Sequence, residues 1–422
     1  MSEAGATREA ISAAWRVESA RLMGALARLV RDLDLAEDLA QEALVAALET
    51  WPTTGIPDNP GAWLMATAKN RAIDRARKQR LVEHKHGAMS DELAGAPPKP
   101  PDIETAIDED VGDDLLRLIL ISCHPVLPTE GRVALTLRLL GGLTTDEIAR
   151  AFLVPEPTVA QRIVRAKRTL AEARVPFELP RGPELAARLP SVLEVVYLIF
   201  NEGYAATRGG AWIRSDLCED ALRLGRMLAG HVPDVAEAHG LVALMELQAS
   251  RARARVDASG QPILLLDQDR SRWDLLLVNL GLQALARAES MAQPLGPYTL
   301  QAAIAACHAR ARRAADTDWK RIVALYDALV EMTGSPVVEL NRAVAVGMAF
   351  GPAQGLELVD TLLEDPALRN YHLLPSVRGD LLAKLGRKDE ARAEFERAAQ
   401  MAQNTREKEL LQARAKACEP GN

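Results

Sequence analysis

Residues 143–170 read Leu143-Thr-Thr-Asp-Glu-Ile-Ala-Arg-Ala-Phe-Leu-Val-Pro155, followed by Glu156-Pro-Thr-Val-Ala-Gln-Arg-Ile-Val-Arg-Ala-Lys-Arg-Thr-Leu170. Thr144 and Glu147 stand three apart, the spacing at which each side chain can cap the other's backbone N–H at a helix start. Ile148, Phe152 and Leu153 supply one apolar face, and Val154-Pro-Glu-Pro157 predicts a turn. A second helix is expected from near Thr158, with Val159, Ile163, Ala166 and Leu170 turned inward. Gln161, Arg162, Arg165 and Arg168 are then left outward, and residues 161–170 carry four bases and no acid. This is a helix-turn-helix pattern whose outward groups donate to base edges and phosphates. The competing reading is a plain surface helix with a solvated charge run.

Upstream, Leu35, Leu39, Ala43, Leu44, Ala47, Leu48 and Trp51 recur at three- and four-residue steps, one apolar helix face. Asp34, Glu37, Asp38, Gln41 and Glu42 lie opposite, and Pro52 is expected to end the helix. Thr53–Pro60 reads as a loop, then a basic helix runs from about Gly61 to Arg80. In that helix Asn70, Asp74 and Arg77 can project together. Asn and Arg suit base edges, and the other bases suit phosphates. A tight loop beside it could hold an unstacked base. A core tryptophan at Trp63 with a solvated basic face is the alternative.

Ala96-Pro-Pro-Lys-Pro-Pro101 cannot be helix, and residues 102–114 hold seven acids and no base, so 86–114 reads as a linker. The expected domains are 10–85, 115–175 with the helix-turn-helix, and 185–422. The chain has 422 residues and a net charge of −7. Residues 1–175 carry 22 Lys+Arg against 26 Asp+Glu, a net of −4. DNA binding must therefore come from local basic stripes and a partner's help. Cys123, Cys218, Cys307 and Cys418 form no CxxC pair, which argues against a zinc ribbon and for reduced thiols. No apolar run approaches the roughly 20 residues of a membrane helix, so a soluble, cytoplasmic protein without membrane partners is expected. The expected fold is all-α, because aromatics are only 4 % and helix formers dominate.

In this order the acidic helix, the Pro60-Gly-Ala-Trp-Leu64 loop, the Ala68-Lys-Asn-Arg-Ala-Ile-Asp-Arg-Ala-Arg77 helix, the acidic linker and the helix-turn-helix resemble extracytoplasmic-function sigma factors of the sigma-70 family. The resemblance implies that Asp34, Glu37, Asp38, Gln41 and Glu42 dock on the clamp of core RNA polymerase. It implies that Asn59, Trp63, Lys69, Asn70, Arg71, Asp74, Arg75, Arg77 and Lys78 read and melt a −10 element of promoter DNA. Thr158, Gln161, Arg162, Arg165 and Arg168 would read the −35 element beside the polymerase flap, and the linker would run toward the RNA exit channel. No catalytic residue, metal or cofactor is implied. A polymerase-independent helix-turn-helix regulator is the alternative. It leaves the Trp63 loop and the Asn70–Asp74 helix without a role.

Beyond residue 175 the chain reads as further helices punctuated by Pro and Gly. Ile263–Leu266 is open between a strand and a buried helix start. Leu381, Gly386, Ala391, Phe395 and Ala399 fit the second half of a tetratricopeptide repeat, with a weaker copy 36 residues earlier at Ala345, Gly355 and Val359. Asn201, Glu202, Tyr204, Asp267, Asp269, Arg270, Arg272 and Trp273 are similar to motifs of the sigma subgroup with a fused tetratricopeptide-like domain. They read as a polar interface network rather than a metal or catalytic site. The resemblance implies that this extension regulates the factor and can bind a protein or peptide.

Overall fold

Ala, Leu, Arg and Glu build what their propensities favour: 18 α-helices among the described residues. The β pairing among them is one isolated bridge between Val256 and Pro262. The computed structural model describes residues 3–87, 111–152, 154–180, 182–204, 215–257 and 259–419. The Pro-rich stretch 96–101 and most of the acidic run lie outside them. The chain divides into two compact units, Met1–Arg150 with Val154–Val195, and Ala151–Leu153 with Val196–Asn422.

In the first unit α1 (Glu3–Val30) packs against α2 (Leu33–Thr54), α3 (Pro60–Gly87) and α4 (Val111–Ser122). Leu22, Leu26, Leu39, Trp51 and Leu64 are fully buried there. Asp32 caps α2 by accepting from the N–H groups of Asp34 (2.8 Å) and Leu35 (3.0 Å). Pro52 does not end α2, which runs to Thr54. Pro52 has no N–H to give, yet the last turn closes otherwise. Gly55 N–H donates to the Trp51 carbonyl at 3.0 Å, and the Thr53 and Thr54 hydroxyls donate to the Thr50 carbonyl at 2.9 and 3.0 Å. Helix α3 enters, and α4 starts inside, the span expected as linker. The second α-helical set is α5 (Thr129–Leu139), α6 (Thr145–Phe152) and α7 (Glu156–Glu172), with α5 packed on α7.

The second unit begins within α8 (Pro183–Tyr204). It continues through α9 (Ser215–His231), α10 (Ala236–Ala249), α11 (Leu275–Ser290), α12 (Pro297–Arg310) and α13 (Trp319–Thr333). Helix α10 is wrapped by α9, α11 and α12. It is apolar nearly all round, as a central helix must be. Ile263–Leu266 is neither strand nor α-helix: Leu265–Asp267 forms one 3-10 turn.

The last helices are α14 (Pro336–Phe350), α15 (Pro352–Thr361), α16 (Leu373–Lys384), α17 (Lys388–Met401) and α18 (Thr405–Ala417), each packed on the next. Ala345, Val359, Leu381, Ala391 and Phe395 are all buried. Small residues set the approach, since a Cβ on Gly355 would meet the Gly347 Cα at 2.9 Å.

Candidate nucleic-acid interface

The capping box forms as its spacing requires. Thr144 N–H donates to Glu147 Oε2 at 2.8 Å, and Glu147 N–H donates to Thr144 Oγ1 at 3.2 Å. Helix α7 starts at Glu156, two residues before the expected Thr158, because Pro157 fits a first helical turn where no N–H is needed. Val159, Ile163, Ala166 and Leu170 are buried, while Gln161, Arg165 and Arg168 are exposed and Thr158 and Arg162 are half-buried. Arg168 pairs with Glu172 at 2.7 Å, a solvated pair of little energetic weight. Leu153 lies outside the described residues.

The α3 end is organised differently. Asn59 caps α3, its Oδ1 accepting from Ala62 N–H at 3.0 Å. Trp63 meets the buried Trp51 edge to face at 5.3 Å. Both side chains thus also hold up the unit. Asn70, Asp74 and Arg77 are exposed and share one helix face by their spacing, and Lys69 is half-buried. The side chain of Lys78 lies outside the described residues.

Arg71 and Arg75 reach back to α2. Arg71 pairs with Glu42 at 3.1 Å, and Arg75 with Glu42 at 3.5 Å and Asp38 at 3.9 Å. Gln41 donates to Glu37 at 3.2 Å. Glu37 also accepts from Arg138 of α5 at 2.6 Å and Lys167 of α7 at 2.6 Å, and Asp34 accepts from Lys167 at 2.7 Å. Burial raises the Glu37 pKa, but Lys167 and Arg138 override it and hold the carboxyl below its usual range. Beside this face lies a cavity of about 250 Å³, walled by Trp15, Met23, Leu44, Val45 and Leu48 among others.

The region 2 description of the sigma-70 family matches residues 16–82, and its region 4 description matches 117–170. An ECF RNA polymerase sigma factor SigK of Mycobacterium ulcerans is 29 % identical over 157 residues, 36 % of this chain and 78 % of the relative. The chain belongs to the extracytoplasmic-function sigma-70 factors. It is an alternative sigma factor for transcription initiation, a partner of core RNA polymerase and promoter DNA. The RNA polymerase sigma-H factor of Pseudomonas aeruginosa is also similar to this sigma factor, 29 % identical over 161 residues, 37 % of this chain and 82 % of the relative. Residues 188–289 match a family of unknown function, DUF6596. An uncharacterized protein R00370 of Rhizobium meliloti (strain 1021) is 44 % identical over 397 residues, 91 % of this chain and 90 % of the relative.

In the second unit of this sigma factor Tyr204, Arg270 and Trp273 join Arg251 and Arg255 in one part-buried network. Arg251 donates to the Tyr204 hydroxyl and Arg255 to its carbonyl, and the Arg255 guanidinium lies 3.7 Å from the Tyr204 ring centroid. Arg270 sits 5.0 Å from the centroid of buried Trp273 and donates to the Ala311 carbonyl at 2.6 Å. Asp269 caps a turn by accepting from Ser271 N–H at 2.9 Å. Asp267, Arg272 and Asn201 are exposed and Glu202 half-buried. Sequence reading missed Arg251 and Arg255, which stand outside any recognisable motif. It also missed Glu237, whose carboxylate accepts from the N–H groups of Tyr298 (2.8 Å) and Thr299 (3.1 Å) at the start of α12. Among the described residues no group of His, Cys, Asp and Glu could hold a metal ion, and no helix is long and apolar enough to cross a membrane.

Proposed function

We propose that this sigma factor reads promoters with two weak surfaces that polymerase holds in register. Helix α7 reads the −35 element through Thr158, Gln161, Arg162, Arg165 and Arg168. The exposed Asn70, Asp74 and Arg77 of α3, with Lys69, Arg71, Arg75 and Lys78 at phosphates and the Asn59–Trp63 loop, read and melt the −10 element. The α2 face of Asp34, Glu37, Asp38, Gln41 and Glu42 takes the polymerase clamp. Residues 86–114 serve as the tether toward the RNA exit channel. The second unit, read as a tetratricopeptide-like domain that binds a protein or peptide, controls the factor and is required for its activity. Asn201, Glu202, Tyr204, Asp267, Asp269, Arg270, Arg272 and Trp273 serve as an interface network of that domain, with Tyr204, Arg270 and Trp273 at its part-buried centre.

The observation that carries this reading is α7, with four apolar side chains buried beneath outward Gln161, Arg165 and Arg168. That is the geometry a major-groove helix needs. With a net charge of −7, the chain lacks the phosphate-neutralising charge for tight unaided DNA binding. A mobility-shift experiment on promoter DNA at near-physiological salt tests this. The reading expects a stable complex with core polymerase and at most a weak one without it. Tight, sequence-specific binding by the free protein supports a polymerase-independent regulator instead.

A further inference from the structure

The second unit carries a concentration of positive charge that the promoter and polymerase surfaces do not use. Residues 307–321 hold five bases against two acids, a net of +3 in a chain whose net charge is −7. They join the end of α12 to the first turn of α13. Where these meet lies a cavity of about 440 Å³, the size of a small-ligand pocket. Its wall includes Arg310, Arg312 and Arg321, all exposed, with Asp316, Asp318 and the buried Cys307.

The acids of that wall are already engaged. Asp316 accepts from Arg313, which is not on the wall, at 2.8 and 2.9 Å. Asp318 caps α13, accepting from the Arg321 N–H at 3.0 Å. The three wall guanidiniums form no ion pair among the described residues. Like charges around one concavity repel each other and focus a field that draws in an anion.

The backbone favours the same sign. The first turn of α13 brings the positive end of a helix dipole to the cavity. The negative end of α12 is offset, because Arg270 donates to the His308 and Ala311 carbonyls, the latter at 2.6 Å. Burial pushes the Cys307 thiol up, and Arg321 and Arg310 offset this only in part. The sulfur is thus a neutral piece of wall and not a nucleophile.

We propose that this cavity is an anion site that takes a compact phosphate group, with Arg310, Arg312 and Arg321 as its donors. Guanidinium forks match phosphate oxygens in pairs. A concave wall suits a small, multiply charged ligand, whereas a nucleic-acid backbone needs an extended basic groove. The occupant ties the end of α12 to the start of α13, so binding adds to the stability of the second unit. The site goes beyond promoter reading and polymerase docking and rests on neither.

The test is calorimetric titration of the full-length protein with inorganic phosphate and with pyrophosphate, in chloride at near-physiological ionic strength. Saturable binding of at least one probe, with a dissociation constant below about 1 mM, is expected. The two probes separate a lone phosphate from a linked pair. Arg312→Gln and Arg321→Gln, both at exposed positions, are each expected to weaken binding roughly tenfold. Lys320→Gln removes the same charge from an exposed position off the cavity wall, and is expected to change binding less than about twofold. No saturable binding of either probe overturns the site. So does binding that the wall substitutions leave unchanged, or that Lys320→Gln weakens equally.

Discussion

Single residues set the local chemistry of each unit. His308 is buried edge-on to Trp319 at 5.2 Å. Burial first, then the charges of Arg251 and Arg270, push its pKa down to about 4. The unfolded chain binds a proton near pH 6.5 that the folded one refuses. Stability is therefore intact above pH 6.5 and falls as pH drops from 6.5 toward 4, by up to roughly 3 kcal/mol. Urea unfolding followed through hydrogen exchange of α12 should show that slope, and His308→Gln should flatten it. At the other unit, Thr144→Ala removes one half of the capping box. It is expected to cost about 1 kcal/mol, read as a lower melting temperature with no change in polymerase affinity. Asn59 and Trp63 show why residue roles were only partly legible. Their motif was visible in sequence, but the 5.3 Å contact between Trp63 and Trp51 joins positions twelve apart on different helices, which periodicity does not pair.

Elements were legible where one face repeats and obscure where tertiary contacts decide. The inward set Val159, Ile163, Ala166 and Leu170 and the Thr144–Glu147 box follow from spacing alone, and both occur. The end of α2 did not follow, because side-chain hydroxyls and Gly55 satisfy carbonyls past Pro52. The crossing of α10 and α12 was invisible, since it depends on Gly240 lying against Thr299. A Cβ at Gly240 would fall 2.2 Å from Thr299 Oγ1 and 2.8 Å from its backbone nitrogen. Gly240→Ala must force the helices apart and is expected to destabilise the second unit by about 2 kcal/mol. A lower urea midpoint for that unit, with the first unit's transition unchanged, checks it.

At the scale of the whole molecule, the sequence shows a sigma factor with a long helical extension, and the order of its motifs carries that reading better than any one of them. Net charge points the same way: an acidic protein binds DNA through local stripes and a partner's geometry. Ending the chain at Val195 is expected to lower promoter-dependent transcription at least tenfold, because we read the second unit as required for activity. Unchanged transcription from that truncated protein would remove its regulatory role. The central claim is that α3 and α7 grip promoter DNA together on polymerase. Run-off transcription with core polymerase, from the promoter upstream of the protein's own gene, tests it most directly. The account predicts a discrete transcript with the unsubstituted protein and its loss with the double substitution Asn70→Ala and Arg165→Ala, at unchanged polymerase binding. Equal transcript from both proteins would contradict it.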